Sequence, residues 1–395
     1  MKRLFFALAW LIPTVIHAQT IKTDVLVIGN GDAAYAASFQ SFKSGVKTIL
    51  FTQKDQLDLN QLAKVKKALA PLYQRFLKRE IENTKSQDLP KPKPDKKNRP
   101  KVMVVDSTLL LNVINNTPYY EIKRSGSGWE VKLTKDKSIK AKILVLADNP
   151  DKLMAALKVT SLNLASSSPL NYNENTYRTT VAGISSTGAN FLSLYSLLIP
   201  NQENLIYIPA DQFEIGTAAG AIAAYAAFFD TKTSLSNLKR IQGELLNYKH
   251  PLLPFEDVKA TDSNWLAIQK IGITGILKAD LKNGKAFFNP EKEVTNEEIK
   301  QPIKDYYYKA QIWFDDHKDV PVSLENTISL VSYVGNKAVD ATKMELQKKW
   351  NSSYKFSSKY DLKKVLSRRE FSVIINEYLK PFDQVNVDKT GRVIR

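Results

Sequence analysis

Cysteine is absent from this 395-residue chain. Its absence excludes disulfides, thiolate metal sites, iron–sulfur clusters, a lipidated cysteine anchor and a cysteine nucleophile. Histidine is almost as scarce, with His17, His250 and His317 the full set. No histidine-rich metal centre can be built from three, so no metal is expected, and imidazole acid–base chemistry has two candidates once the leader is set aside. His250, beside Pro251, reads as a helix-end cap or a surface residue. Beyond the first eighteen residues no apolar run is long enough to span a bilayer, which takes about 20 residues. A content of 43% hydrophobic and 25% charged residues excludes collagen-like, wholly disordered and multi-span membrane classes. The length suits two or three domains.

Lys2 and Arg3 precede an apolar stretch from Leu4 to Ile16, and Ala18 offers a small residue for cleavage. This pattern reads as a secretory signal peptide over residues 1–18, and the expected location is the periplasm or cell surface of a bacterium. Without a twin arginine the chain would cross unfolded, so any cofactor would join afterwards.

Acidic residues are outnumbered 40 to 57, a formal charge of +17, which draws attention to nucleic acid or an anionic surface. Residues 61–101 hold thirteen Lys/Arg and a local net charge of +9. Val65, Leu69, Leu72 and Phe76 have helical spacing there. Residues 86–100 place Pro90, Pro92, Pro94 and Pro100 among lysines, as in an extended linker loop. No aromatics are interleaved for base stacking, so no nucleic-acid partner is expected.

Asp24–Ile28 is a short β-branched run suited to a buried parallel strand. It leads into Gly29-Asn30-Gly31-Asp32-Ala33-Ala34 and an alanine-rich helix start, then a second strand over 45–51. Gly29 permits a tight turn, Gly31 lets backbone approach a pyrophosphate, and Ala34 fills the third small position for helix–strand packing. The amides and dipole of the helix would hold the phosphates. The acid normally found at the end of the second strand is missing: Thr52 stands there, with one neutral hydroxyl for a ribose. The dinucleotide site is thus either loosened or abandoned. Ser107–Asn115 reads as helical, Tyr119–Arg124 and Trp129–Thr134 as antiparallel strands about a Ser-Gly-Ser-Gly turn, and Ala141–Asp148 as a buried strand. Asn204–Asp211 follows as strand and loop, and Gly216-Thr217-Ala218-Ala219-Gly220 opens a small-residue helix.

Residues 22–54, 101–160 and 192–258 together resemble the FAD-dependent oxidoreductases of the two-dinucleotide-binding flavoprotein superfamily. The fold class expected is α/β: a Rossmann-like FAD/NAD(P)-binding parallel sheet with an antiparallel β insertion, plus a C-terminal α-helical module. The resemblance implies FAD as cofactor, with Gly29, Gly31 and Ala34 at the pyrophosphate, Thr52 in the ribose acid's place, Asp211 near the ribityl–phosphate part and Gly216 near the flavin. Ala147-Asp148 departs from the usual alanine-threonine-glycine run, and about forty residues, 150–190, remain for a substrate cap.

From residue 257 the composition turns to short helices with aromatic anchors, so the expected division is 1–18, 19–256 and 257–395. Trp265–Ile276 reads as a helix ending near Gly272 and Gly275, and Ala286–Pro290 as a turn. Thr295 with Glu298 and Ser367 with Glu370 have capping-box spacing, and Ser323 begins a weaker third copy. This region resembles S-layer homology repeats, which implies a wall-glycan contact at Arg368. Tyr306–Tyr308, Trp313 and Trp350 are read as core or interface aromatics, with a sugar groove as the other reading. The function expected is that of an exported FAD-dependent oxidoreductase-like protein with no assigned substrate or catalytic residue. The alternative is a cofactor-free scaffold at the cell surface or in the periplasm that binds glycan or protein. A small molecule or a carbohydrate is the ligand class in either case.

Overall fold

The computed structural model describes residues 19–55, 58, 111–133, 137–162, 167–318 and 320–394. The leader, the helix expected around Val65–Phe76 and the proline–lysine linker at 86–100 lie outside the described residues.

The chain opens with β1 (Gln19–Gly29), α1 (Asp32–Lys43) and β2 (Thr48–Phe51). β3 (Leu111–Ile114), the hairpin β4 (Glu121–Ser125) and β5 (Gly128–Lys132), and β6 (Lys137–Ala147) follow. Next come α2 (Asp151–Leu157), then β7 (Ser168–Pro169), β8 (Thr180–Ile184) and β9 (Asn190–Ser193). The first half closes with β10 (Leu205–Tyr207) and α3 (Phe213–Phe228). The main sheet runs in the order β3-β2-β1-β6-β5-β4, with β10 also on β6. β3, β2, β1, β6 and β10 are parallel, whereas β5 and β4 are antiparallel. The expected Rossmann-like sheet with its antiparallel insertion is therefore present.

β6 divides one edge between two partners: its first half pairs with β5 and Leu144–Leu146 pair with β10. Both faces of the parallel strands are covered. Val25, Val27, Ile143 and Val145 enter one apolar cluster, whereas Leu26, Ile28, Leu144 and Leu146 enter the other. This explains why these strands are continuously apolar instead of alternating.

Two local expectations are corrected. Part of the segment read as helical, Ser107–Asn115, is the strand β3, parallel to β2 and recruited by its open edge. The Ala286–Pro290 turn begins inside a strand: β11 (Asp280–Lys282) pairs with β12 (Lys285–Phe287). The hairpin of β4 and β5 turns as expected, with Gly126 at φ +62°.

The second half is mostly helical. It holds α4 (Leu238–Asn247), α5 (Trp265–Thr274), α6 (Asn296–Tyr306), α7 (Tyr308–Asp316), α8 (Leu324–Gly335), α9 (Val339–Lys349), α10 (Arg368–Tyr378) and α11 (Pro381–Gln384). It ends in the small hairpin β13 (Asn386–Val387) and β14 (Val393–Ile394). Both full capping boxes form, at Thr295/Glu298 and Ser367/Glu370. Ser323 caps α8 alone, accepting from Asn326 N at 3.2 Å, because asparagine stands where the box needs glutamate. The three capped starts lie side by side. Val294 N donates to Leu366 O and Leu366 N to Val322 O, each at 3.0 Å. Tyr306, Trp313 and Trp350 are buried, as their reading as core predicts, whereas Tyr308 is exposed.

Candidate functional site: the glycine loop of the first strand

β1 ends at Gly29 because no side chain fits there. A Cβ on Gly29 would stand 2.6 Å from Ala147 O and 2.7 Å from Ala34 Cβ. The third small position, Ala34, is thereby used as expected, in close helix–strand packing. α1 begins after Gly31, whose own side cannot cap it. The cap comes from the far side of the fold: Asp211, in the loop after β10, accepts the Ala33 N–H on Oδ1 at 2.8 Å. A Cβ on Gly31 would collide with that carboxylate at 2.2–2.4 Å. Glycine is required here so that an anion can approach the backbone. Asp32, buried in the first turn, adds a second carboxylate at the positive end of the helix dipole.

Gly216 lies one turn into α3. A Cβ there would meet Ala33 O at 2.2 Å, and one on Gly220 would meet Ala37 O at 2.3 Å. The two glycines therefore let α3 lie parallel against α1, so that the two helices start together beside the loop. Gly216 is in contact with the loop's own backbone.

Thr52 immediately follows β2 and is 2% exposed. Its hydroxyl donates to Asn30 Oδ1 at 3.0 Å and accepts from Lys54 N at 3.2 Å. The Thr52 hydroxyl is thus spent on holding the glycine loop. Asn30, which the sequence reading passed over, is the hinge of this arrangement. Its carbonyl accepts from Asp58 N at 2.8 Å, while its buried Nδ2 has no partner among the described residues. An amide between two loop glycines was the available signal.

These atoms can be tested against FAD. The first turn of α1 is buried, but Ala33 N already takes an anion from Asp211, and that amide with the spare Asn30 Nδ2 donor suits a pyrophosphate. Asp211 is itself exposed and can yield that place. Thr52 is buried and doubly engaged, so it does not suit a ribose. The loop fits the phosphate part of the cofactor and not the adenosine part.

Neither histidine in the described residues belongs to this loop. His250 is buried, which corrects the surface half of its reading. Its backbone N–H caps α4 on Leu245 O at 2.9 Å. Burial lowers its ring pKa to about 4, assisted by the Lys43 charge and opposed by a hydrogen bond at the Val181 backbone. His317 stacks on Trp313, with ring centroids 4.3 Å apart. No three His, Asp or Glu side chains gather as a metal site among the described residues.

Arg368 does not reach a glycan. It is 2% exposed, and it donates to Phe288 O at 2.7 Å, Glu298 Oε1 at 2.6 Å and Lys278 O at 2.5 Å. Its charge ties the start of α10 to α6 and to the segments at Lys278 and Phe288, which corrects the contact the S-layer resemblance implied.

No protein-family model and no curated protein matches the chain. Among solved structures, a bacillithiol disulfide reductase from Staphylococcus aureus is similar at 14% identity and TM-score 0.18, over 33% of this chain and 39% of that one. A thioredoxin reductase from T. acidophilum is similar at 15% identity and TM-score 0.19, over 32% of this chain and 34% of that one. A geranylgeranyl bacteriochlorophyll reductase-like protein from Thermoplasma acidophilum is similar at 11% identity and TM-score 0.31, over 75% and 100%. The chain spans little more than a third of the first two.

Proposed function

We propose that this is an exported, FAD-dependent oxidoreductase-like protein of unassigned substrate. In this reading Gly29, Gly31, Asn30 and the first turn of α1 hold the FAD pyrophosphate. Asp211 gives way to it and faces the ribityl chain, while Gly216 keeps α3 close beside the flavin end. The observation that carries the reading is the Asp211 carboxylate on Ala33 N, an anion seated where a phosphate oxygen would be. The Lys2–Arg3 start and apolar stretch that follow it support export.

Affinity should be modest. Without a carboxylate at Thr52, one charge-assisted pair to the ribose is missing, about 1.5–3 kcal/mol, or roughly ten- to a hundred-fold in Kd. FAD titrated into the purified chain should quench flavin fluorescence, and Gly31→Val should abolish the effect by blocking the approach to the backbone. Equal binding by parent and Gly31→Val would overturn the dinucleotide site. No binding by the parent would leave a cofactor-free scaffold.

A further inference from the structure

The end of the sheet opposite the glycine loop carries an apolar and basic surface. α1 and α3 run side by side from the loop, so both finish at that far end. α3 finishes with Phe228 and Phe229, 64% and 48% exposed. Their rings meet edge-on at 5.0 Å, and Tyr225 packs on Phe229 at 4.6 Å. Leu235, six residues on, is 68% exposed. Helix ends ordinarily close with polar residues or a glycine. Two exposed phenylalanines and a leucine within eight positions are an unpartnered apolar face.

Cations surround it. Arg240 lies over the Phe229 ring at 5.5 Å. Lys142 Nζ reaches Ala227 O at 3.4 Å and pairs with Asp24 at 3.0 Å. Lys232 is exposed between the aromatics and Leu235. The surface continues across the bottom of the sheet: Lys47 N donates to Asp24 Oδ2 at 3.1 Å, and Lys43 Nζ sits 3.9 Å over the exposed Tyr248 ring. Of the acids here, Asp24 is paired with Lys142, Glu203 accepts from Thr233 and Ser234, Glu244 accepts from Ser44 beside Lys43, and Asp230 is exposed.

We propose that this end docks on a lipid bilayer containing anionic phospholipid, with Phe228, Phe229 and Leu235 entering the interface and the lysines and Arg240 at the headgroups. Charge complementarity selects this occupant. A second copy of the same surface would bring like charges together, and the chain's own basic stretch at 61–101 is repelled for the same reason. A nucleic acid would match the charge and leave the apolar side chains unused. Attachment would be peripheral: no helix among the described residues is long and apolar enough to cross a membrane.

The test is co-sedimentation of the purified full chain with phosphatidylglycerol–phosphatidylcholine vesicles and with phosphatidylcholine vesicles alone. Binding should require the anionic lipid and weaken with salt. Phe228→Ser combined with Phe229→Ser should lower the partition coefficient by about ten-fold or more. Arg240→Glu should lower it at least about five-fold. These side chains are exposed, so circular dichroism and Tm should match the parent and separate lost docking from lost folding. The leader and the 61–101 stretch are the same in parent and variants, so the difference reads this surface alone. Equal binding to both vesicle types, or phenylalanine variants that bind like the parent, would overturn the proposal. So would a monomer–dimer shift removed by the same variants without change in vesicle binding, or duplex DNA displacing the vesicles with phenylalanine-independent affinity.

Discussion

Asp211 Oδ1 accepts the Ala33 N–H at 2.8 Å, so the chain supplies its own anion to the first turn of α1. The carboxylate caps a helix that Gly31 cannot cap, and in the proposed function it holds the place a phosphate oxygen would take. Asp211→Asn should therefore raise FAD affinity. Removing one charge about 4 Å from a phosphate in near-aqueous surroundings is worth about 1 kcal/mol, roughly five-fold in Kd. Fluorescence titration of parent and variant measures it. Unchanged or weaker binding by the variant would mean that the carboxylate does not compete with the phosphate for Ala33 N.

Two glycine substitutions should act in opposite directions. Gly220→Ala puts a methyl 2.3 Å from Ala37 O, a backbone atom that cannot turn aside. α3 must then lift from α1, at a cost of about 1–3 kcal/mol. Gly243, inside α4, has open space around its absent side chain. Gly243→Ala should stabilise by about 0.5–1 kcal/mol through helix propensity alone. Urea midpoints of the two variants against the parent provide the comparison.

His250 makes stability depend on pH. Its folded pKa, about 4, lies below the ordinary 6.5 because the ring is buried. Between those values the unfolded chain binds the proton and the folded one does not, so stability falls as pH drops from 6.5 toward 4. The contribution is roughly 3 kcal/mol over the window. Denaturation at pH 7 and pH 4.5 should show a smaller loss for His250→Phe than for the parent.

Arg368→Ala should destabilise by about 3–5 kcal/mol, since it strands the buried acceptors of Phe288 and Lys278 and the Glu298 carboxylate. Arg368→Lys should recover little, because one ammonium cannot serve three diverging acceptors. Thermal melts of both variants check this. A variant with parental Tm and lost carbohydrate affinity would restore the ligand reading.

The glycine loop and its flanking strands were legible in the sequence because their signals are local: a β-branched run, fixed glycines, an alanine-rich helix start. The capping boxes were legible for the same reason, as Thr295 and Ser367 close with partners three residues away. Leu111–Ile114 was misread because a four-residue segment is too short to show a period of its own, and β2's open edge decided its state. The Ala33–Asp211 bond joins residues 178 positions apart, and nothing near either one announces it. Arg368 looked like a ligand contact because a charged side chain is ordinarily outside. Its three acceptors come from 70 to 90 residues upstream, a distance over which sequence pattern is silent.

The pairing of β1 with β6 has a consequence for how the protein is made. Thr20 lies opposite Ser138, 118 positions along the chain. β2 arrives soon after β1 and covers one of its edges. The other edge waits for β6, and the face under α3 waits until residue 213 and beyond. A nascent or translocating chain therefore presents Val25–Ile28 as an open strand until Lys137–Ala147 has been delivered. Such an edge is a template for pairing with other chains, and closing a loop of that length is a slow step in folding. The hazard lies in the interval before folding and not in the finished molecule. Yield should depend on what shelters the first strand while the sixth is still being delivered.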